Sequence, residues 1–334
     1  MFKFLSDRAT LIAEIGGNHE GSLAQAKELM FEASENGADI VKFQSYSGPG
    51  LVNKLLRPDR FKHFEGFMLS DDQWIDLAET AAKNNINFSS SLWEDKYFNL
   101  LNKYISIHKV GSGDLNNFPM IQKLINTKKP LILSSAMATI EQLKTMYDFV
   151  LSQDPNIISD KRLAILQCTA MYDNPSFTNV HLSVLNTLKE QFQCVIGFSN
   201  HAIGINSSIM ALALGAEIIE FHYTSSKDAT FRDHKLSFNA KDLCFVSQFN
   251  REVKAMHGDN LKKVHYDEQQ NTKEFRRGIF LNTNLKKGTV INYKDLTFLR
   301  PEEGISMWDL NKVIGKKLNI DMSALEPLSF EFLD

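Results

Sequence analysis

Asn36-Gly37-Ala38-Asp39-Ile40-Val41-Lys42-Phe43-Gln44 and Leu214-Gly215-Ala216-Glu217-Ile218-Ile219-Glu220-Phe221-His222 are two versions of one unit. In each, a glycine suits the C-terminal cap of a helix. A short β-rich run follows. Counting from the glycine, Lys42 matches Glu220 and Gln44 matches His222. Side chains alternate across a strand, so each such pair shares one face. Both runs are apolar at the start and polar at the end.

The same alternation of strand and helix extends from the start of the chain to about residue 256. Strand-like runs are Leu11–Ile15, Ile40–Gln44, Asn87–Ser90, Ile105–Val110, Leu131–Ser134, Leu163–Gln167, Val195–Ser199 and Ile218–His222. Helical spacing follows several of them: Leu23, Ala26, Leu29 and Ala33; Trp74, Leu77, Ala78 and Ala81; Leu143, Met146 and Val150; Leu243, Val246, Phe249 and Val253. Ser70 with Gln73, and Thr139 with Gln142, read as capping boxes. Repeated strand–helix units imply a parallel sheet, and eight of them predict a (β/α)8 barrel over residues 1–257. A doubly wound open sheet is the competing architecture. Residues 258–274 are polar and read as a linker. Residues 275–334 are too few for a large core and read as a small, mostly β domain, with short strands expected at 284–288 and 289–291.

Composition narrows the function classes. The 334 residues carry 43% hydrophobic residues and a net charge of −3. That is ample for a core and offers no basic field for nucleic acid or an anionic membrane. The cysteines Cys168, Cys194 and Cys244 are far apart, with no metal-like or disulfide-like spacing, which fits a reducing cytoplasm. No run approaches the roughly 20 apolar residues of a membrane span.

Polar residues cluster where strands end, the place where barrel active sites lie. Glu14, Asn18 and His19 flank glycines after the first strand. Lys42 and Lys109 each end a strand, and Lys109 runs into Gly111-Ser112-Gly113-Asp114. A lysine at such a position is expensive to bury unless it meets an anion, so the pair points to a phosphate or carboxylate pocket with hydroxyls from Ser134 and Ser135. His201 and His222 end neighbouring strands and could share a metal, its shell completed by oxygen ligands. A lone histidine is more often structural; two that converge, with Asp233 and His234 close behind, keep both readings open.

These residues sit in motifs that resemble the sialic acid synthases. The matching stretches are Ala13-Glu14-Ile15-Gly16-Gly17-Asn18-His19-Glu20-Gly21, Val41-Lys42-Phe43-Gln44, Lys109-Val110-Gly111-Ser112-Gly113-Asp114, Leu133-Ser134-Ser135-Ala136-Met137, Gln167-Cys168-Thr169, Phe198-Ser199-Asn200-His201 and Glu220-Phe221-His222. They occur in the family's order and spacing. Lys286-Lys287-Gly288 and Leu299-Arg300-Pro301 are similar to that family's antifreeze-like (SAF) domain.

The resemblance implies condensation of phosphoenolpyruvate with an open-chain N-acetylated amino sugar, giving a nine-carbon 2-keto acid and phosphate. It implies a divalent metal, Mn2+ or Mg2+, held by His201 and His222. Lys42, Gln44, Lys109, Ser112, Ser134 and Ser199 would bind phosphoenolpyruvate. Glu14 and Asp114 would move protons or activate water. Asn18, Tyr172, Asp233 and Arg300 would bind the sugar, Arg300 reaching a neighbouring barrel in a domain-swapped homodimer. Asn200, Asp114, Ser91-Leu92-Trp93, Ala170, Tyr172-Asp173-Asn174-Pro175 and Phe231-Arg232-Asp233 depart from common family patterns, mostly on the sugar side. The alternatives are a related synthase that takes a sugar phosphate, which needs extra cations such as Arg57 and Arg60, and a non-catalytic sugar-binding protein.

Overall fold

The structure, a computed structural model, describes residues 3–5, 7–172, 176–230 and 232–334. Two stretches named above, Asp173-Asn174-Pro175 and Phe231, lie outside the described residues. The chain divides into a unit ending at Gly258 and a second unit from Asp259 to Asp334.

The first unit is a (β/α)8 barrel. Its strands are β1 (Thr10–Gly16), β2 (Ile40–Ser45), β3 (Phe88–Leu92), β4 (His108–Val110), β5 (Leu131–Ser134), β6 (Leu163–Cys168), β7 (Val195–Asn200) and β8 (Ile218–His222). They form one parallel sheet in the order β3-β2-β1-β8-β7-β6-β5-β4. The seam between β3 and β4 lacks a regular ladder. It is joined by Ser106 N–H to Phe88 O at 2.9 Å and by the Ser89 hydroxyl to Ile107 O at 2.8 Å. The run expected as a strand from Ile105 is therefore regular only from His108, because its first residues bond across this seam.

Helices cover the outside as the periodicity requires. Helix Asp71–Lys83 buries Trp74, Leu77, Ala78 and Ala81, and its Ser70–Gln73 capping box is formed. Helix Ile140–Gln153 begins at the Thr139–Gln142 box and buries Leu143, Met146 and Val150.

Inside the barrel, alternation sorts each strand by height. Ile12, Ile40, Ile107, Ile132, Ala164, Leu166, Val195 and Ile218 pack into one apolar plug with Phe4 against it. Two residues further along these strands stand Glu14, Lys42, Lys109, Ser134, Cys168 and Glu220, on the same inward face by the period of two. The plug is thus the floor on which a polar layer rests. Space there is tight: a Cβ on Gly197 would lie 2.6 Å from both Ile218 O and Leu166 Cδ2.

The second unit has its own small core of Ile279, Leu281, Ile291, Leu296, Ile305, Val313, Leu318, Met322 and Leu328. Its antiparallel pair is β9 (Gly278–Leu281) and β10 (Leu296–Leu299). The strands expected at 284–288 and 289–291 reduce to single bridges, Leu285 to Met322 and Val290 to Lys317. Gly288, at φ 88°, turns the chain between them. The stretch that reads as a linker carries a helix, Gln269–Phe275. No helix among the described residues is long and apolar enough to cross a membrane.

Candidate active site

A cavity of about 530 Å³ opens among the C-terminal ends of the barrel strands. Of the residues picked out by sequence, Glu14, Lys42, Gln44, Lys109, Ser112, Asp114, Ser134, Tyr172, Ser199, His201, His222 and Asp233 all line it. They come from seven different strand ends or the loops beyond them, so only closure of the barrel brings them together.

The floor of the cavity is a buried ionic layer. Lys42 Nζ pairs with Glu14 Oε2, in contact, and lies 4.0 Å from Glu220 Oε2. Lys109 Nζ lies 3.3 Å from Glu220 Oε1. All four residues are buried. Gln44 Nε2 donates to Glu14 Oε1 at 2.9 Å, and the Ser199 hydroxyl donates to Glu220 Oε1 at 3.2 Å. Burial pushes the Lys42 ammonium down to about 7, against the opposing pull of Glu220. Burial alone would raise the Glu220 carboxyl; Lys109, Lys42 and the two histidines outweigh it and hold it near 2. Ser134 Oγ is buried on the same floor and has no hydrogen-bond partner among the described residues. A buried hydroxyl left so is costly, and a ligand oxygen would satisfy it.

On the other wall, His201 and His222 face one another with ring centroids 5.3 Å apart at 70°. Tyr172 Oη is 2.9 Å from His201 Nε2, and Cys168 Sγ is 3.6 Å from His201 Nδ1. Asp233 Oδ2 is 3.8 Å from His222 Nδ1. Among the described residues no cluster of three or more His, Cys, Asp or Glu is arranged to hold a metal. The protein offers two imidazoles, a donor set that would suit a divalent ion completed by oxygens of water and substrate.

The remaining residues separate by role. Asp114 sits in the turn Ser112–Asp114, where burial raises its carboxyl and Asn117 opposes the rise. The Ser112 hydroxyl accepts Ala136 N–H at 3.1 Å, tying this turn to the loop after β5. Asn18 does not line the cavity. It is fully buried, and its amide donates to Tyr223 O at 2.8 Å and Ser237 Oγ at 2.9 Å. Those bonds fasten the loop after β1 to the loop after β8 and give Asn18 a structural role outside the lining of the cavity. Asn200, a departure from the family pattern, also serves the fold: its Oδ1 accepts Ala202 N–H and the Ser207 hydroxyl, shaping the loop that carries His201. Arg300 is exposed in the second unit.

Among the cavity residues given no catalytic or binding role from sequence are Glu220, Cys168 and Trp93; Arg57 and Arg60, weighed there only as cations for a second phosphate, also line the cavity. Glu220 was legible in principle, since it precedes His222 by two and must share its face. Trp93 stacks on Tyr46, with centroids 5.2 Å apart, and neither its spacing nor its neighbours in sequence announce that contact.

The fold and this mouth define a (β/α)8-barrel enzyme equipped to take an anion beside paired imidazoles. Residues 29–262 match the NeuB family and residues 276–334 match the SAF domain. The chain belongs to the NeuB family, as the motif resemblance implied. It is 32% identical to the N,N'-diacetyllegionaminic acid synthase of Legionella pneumophila, over 97% of this chain and 94% of that one. It is 30% identical to human N-acetylneuraminate-9-phosphate synthase, over 97% and 92%. Among solved structures it resembles an N-acetylneuraminic acid synthetase from Leptospira borgpetersenii in complex with citrate, at 25% identity and a TM-score of 0.73, covering 80% of this chain and 91% of that one.

Proposed function

We propose that the protein condenses phosphoenolpyruvate with the open-chain aldehyde of an N-acetylated amino sugar, N-acetylmannosamine or a related 6-deoxy-diacetamido hexose, to give a nine-carbon 2-keto sugar acid and phosphate. The observation that carries this reading is one cavity in which buried Lys42 and Lys109 stand beside His201 and His222, with Glu220 between the two pairs. Lys42 and Lys109 take the phosphate and carboxylate of phosphoenolpyruvate, and Ser112, Ser134, Ser199 and Gln44 donate to their oxygens. His201 and His222 would hold Mn2+ or Mg2+, which supplies Lewis-acid polarisation of the aldehyde.

Held in this way, C3 of the enol forms a bond to the aldehyde carbon. The aldehyde oxygen gains a proton. Water adds to C2, and the C2–O bond to phosphate breaks. Glu14 and Asp114 carry these protons, and burial, which raises the Asp114 carboxyl, favours its acting as an acid. Tyr172 and Asp233 line the sugar side. The family resemblance further implies a homodimer in which Arg300 of the partner subunit completes the sugar site.

Arg57 and Arg60 on the cavity wall favour a second reading, in which the acceptor carries its own phosphate. One assay tests both. The protein is incubated with phosphoenolpyruvate, manganese and a panel of amino sugars and their 6-phosphates, and phosphate release is followed with and without chelator. Chelator-sensitive release with an unphosphorylated amino sugar is expected. Release only with the phosphorylated sugars selects the second reading, and no release with any acceptor refutes both.

A further inference from the structure

We infer that Cys168 is a positioning residue that orients His201 for the metal; this rests on the metal-dependent reading above. Cys168 ends β6, opposite Ser199 of β7 in register, and is buried at the cavity floor. Its sulfur lies 3.6 Å from His201 Nδ1, while Tyr172 Oη lies 2.9 Å from His201 Nε2. The two ring nitrogens therefore have unlike partners. One is a short side chain fixed on a strand. The other is a phenol on a loop that lines the same cavity.

An imidazole can give a metal only one nitrogen, and the hydrogen bond made by the other sets which one and where the ring points. In the orienting arrangement the strand-fixed sulfur accepts Nδ1–H. That leaves the Nε2 lone pair turned into the cavity, where Tyr172 occupies it in this structure. His201 itself lies beyond the end of β7, and the Asn200 bonds shape its backbone but do not touch its ring. Of the two side chains that hydrogen-bond the ring, Cys168 is the one whose backbone belongs to the sheet. A merely space-filling sulfur would make no demand on the ring's tautomer. An orienting one does.

The test uses Cys168→Ala and Cys168→Ser in the full chain. Manganese binding is measured by calorimetry, phosphoenolpyruvate binding is measured without metal, and the tautomer of His201 is read by 15N NMR on the metal-free protein. Serine keeps an acceptor for Nδ1–H; alanine does not. Cys168→Ala is expected to weaken manganese by about tenfold or more, the range for losing such a partner. Phosphoenolpyruvate affinity should hold within about twofold, below the tenfold that 1.4 kcal/mol represents. His201 should shift from the Nδ1–H form toward a mixture, and Cys168→Ser should recover most of both losses. Manganese affinity and tautomer unchanged in Cys168→Ala overturn the inference. So does a Cys168→Ser variant as impaired as Cys168→Ala, which would assign the effect to packing. If the unaltered protein binds no manganese, the metal reading fails, and the NMR arm alone decides whether Cys168 sets the ring: an unchanged tautomer in Cys168→Ala overturns it.

Discussion

Replacing Lys109 by methionine should destabilise the barrel and disable it, by one and the same cause. Lys109 Nζ is 3.3 Å from Glu220 Oε1, and both side chains are buried. At an effective dielectric of about 20, a pair at that distance attracts by roughly 5 kcal/mol. Removing one partner of a buried pair leaves the other charge uncompensated and costs about 3–5 kcal/mol. Lys42 remains 4.0 Å from the other oxygen of Glu220, so the lower end, about 3 kcal/mol, is expected. The measurement is denaturant unfolding at pH 7, followed at the barrel transition. The decisive partner is Lys109→Met combined with Glu220→Gln. That chain has lost both charges, so most of the stability should return. Its turnover should not, because the cation proposed to meet phosphoenolpyruvate is still missing. Phosphate release should fall at least 100-fold in both chains, equivalent to about 2.7 kcal/mol. A single variant as stable as the parent would refute the argument, and so would a double variant no more stable than the single one.

Other outcomes follow from buried groups elsewhere. His108 is held neutral by burial, its imidazole pushed down to about 3, while an unfolded histidine titrates near 6.5. Between those values the unfolded chain binds more protons, so stability falls on acidification. At pH 5 the loss from this site is about 2 kcal/mol, and His108→Gln should flatten the difference between unfolding midpoints at pH 7 and 5; equal slopes would contradict it. Asn18→Ala should cost roughly 1–3 kcal/mol of stability for its two buried bonds and leave the sugar KM within twofold, whereas a raised sugar KM would restore the ligand contact. Mixing inactive His222→Ala and Arg300→Ala chains should restore part of the activity when subunits exchange, and no recovery after proven exchange would count against a shared site.

The barrel was legible because its strands obey a rule that sequence displays. Apolar and polar residues two apart on one strand, as in Ile40 and Lys42 or Ile218 and Glu220, declare a closed floor and a polar rim on the same face. The helices were legible from spacing and from capping boxes that formed where expected. What was not legible depended on closure. Asn18 carries the composition of a ligand residue, but the amide finds Tyr223 and Ser237, which lie more than 200 positions away. Trp93 gains meaning only from the cavity it lines, and the cation Arg57 is brought there only by the fold. The small unit failed at its turns, because two-residue bridges leave no alternation to read.

The buried quartet of Glu14, Lys42, Lys109 and Glu220 explains why such a site can exist before its substrate arrives. A lysine alone on an apolar floor sheds its proton readily, and Lys42 is already pushed down to about 7. Neutral amines would hold an anion weakly. The carboxylates of Glu14 and Glu220 stand against the two lysines, and Glu220 opposes the fall of Lys42. Ser134 is left with an unused hydroxyl among them. An incoming phosphate or carboxylate then exchanges with groups of its own kind, and the cost of burying charge falls on folding rather than on binding. For that reason Glu220 belongs with the lysines in the proposed anion site, although it repels the anion. Its removal should weaken the site by letting Lys42 fall further toward the neutral amine, not strengthen it by removing a competitor.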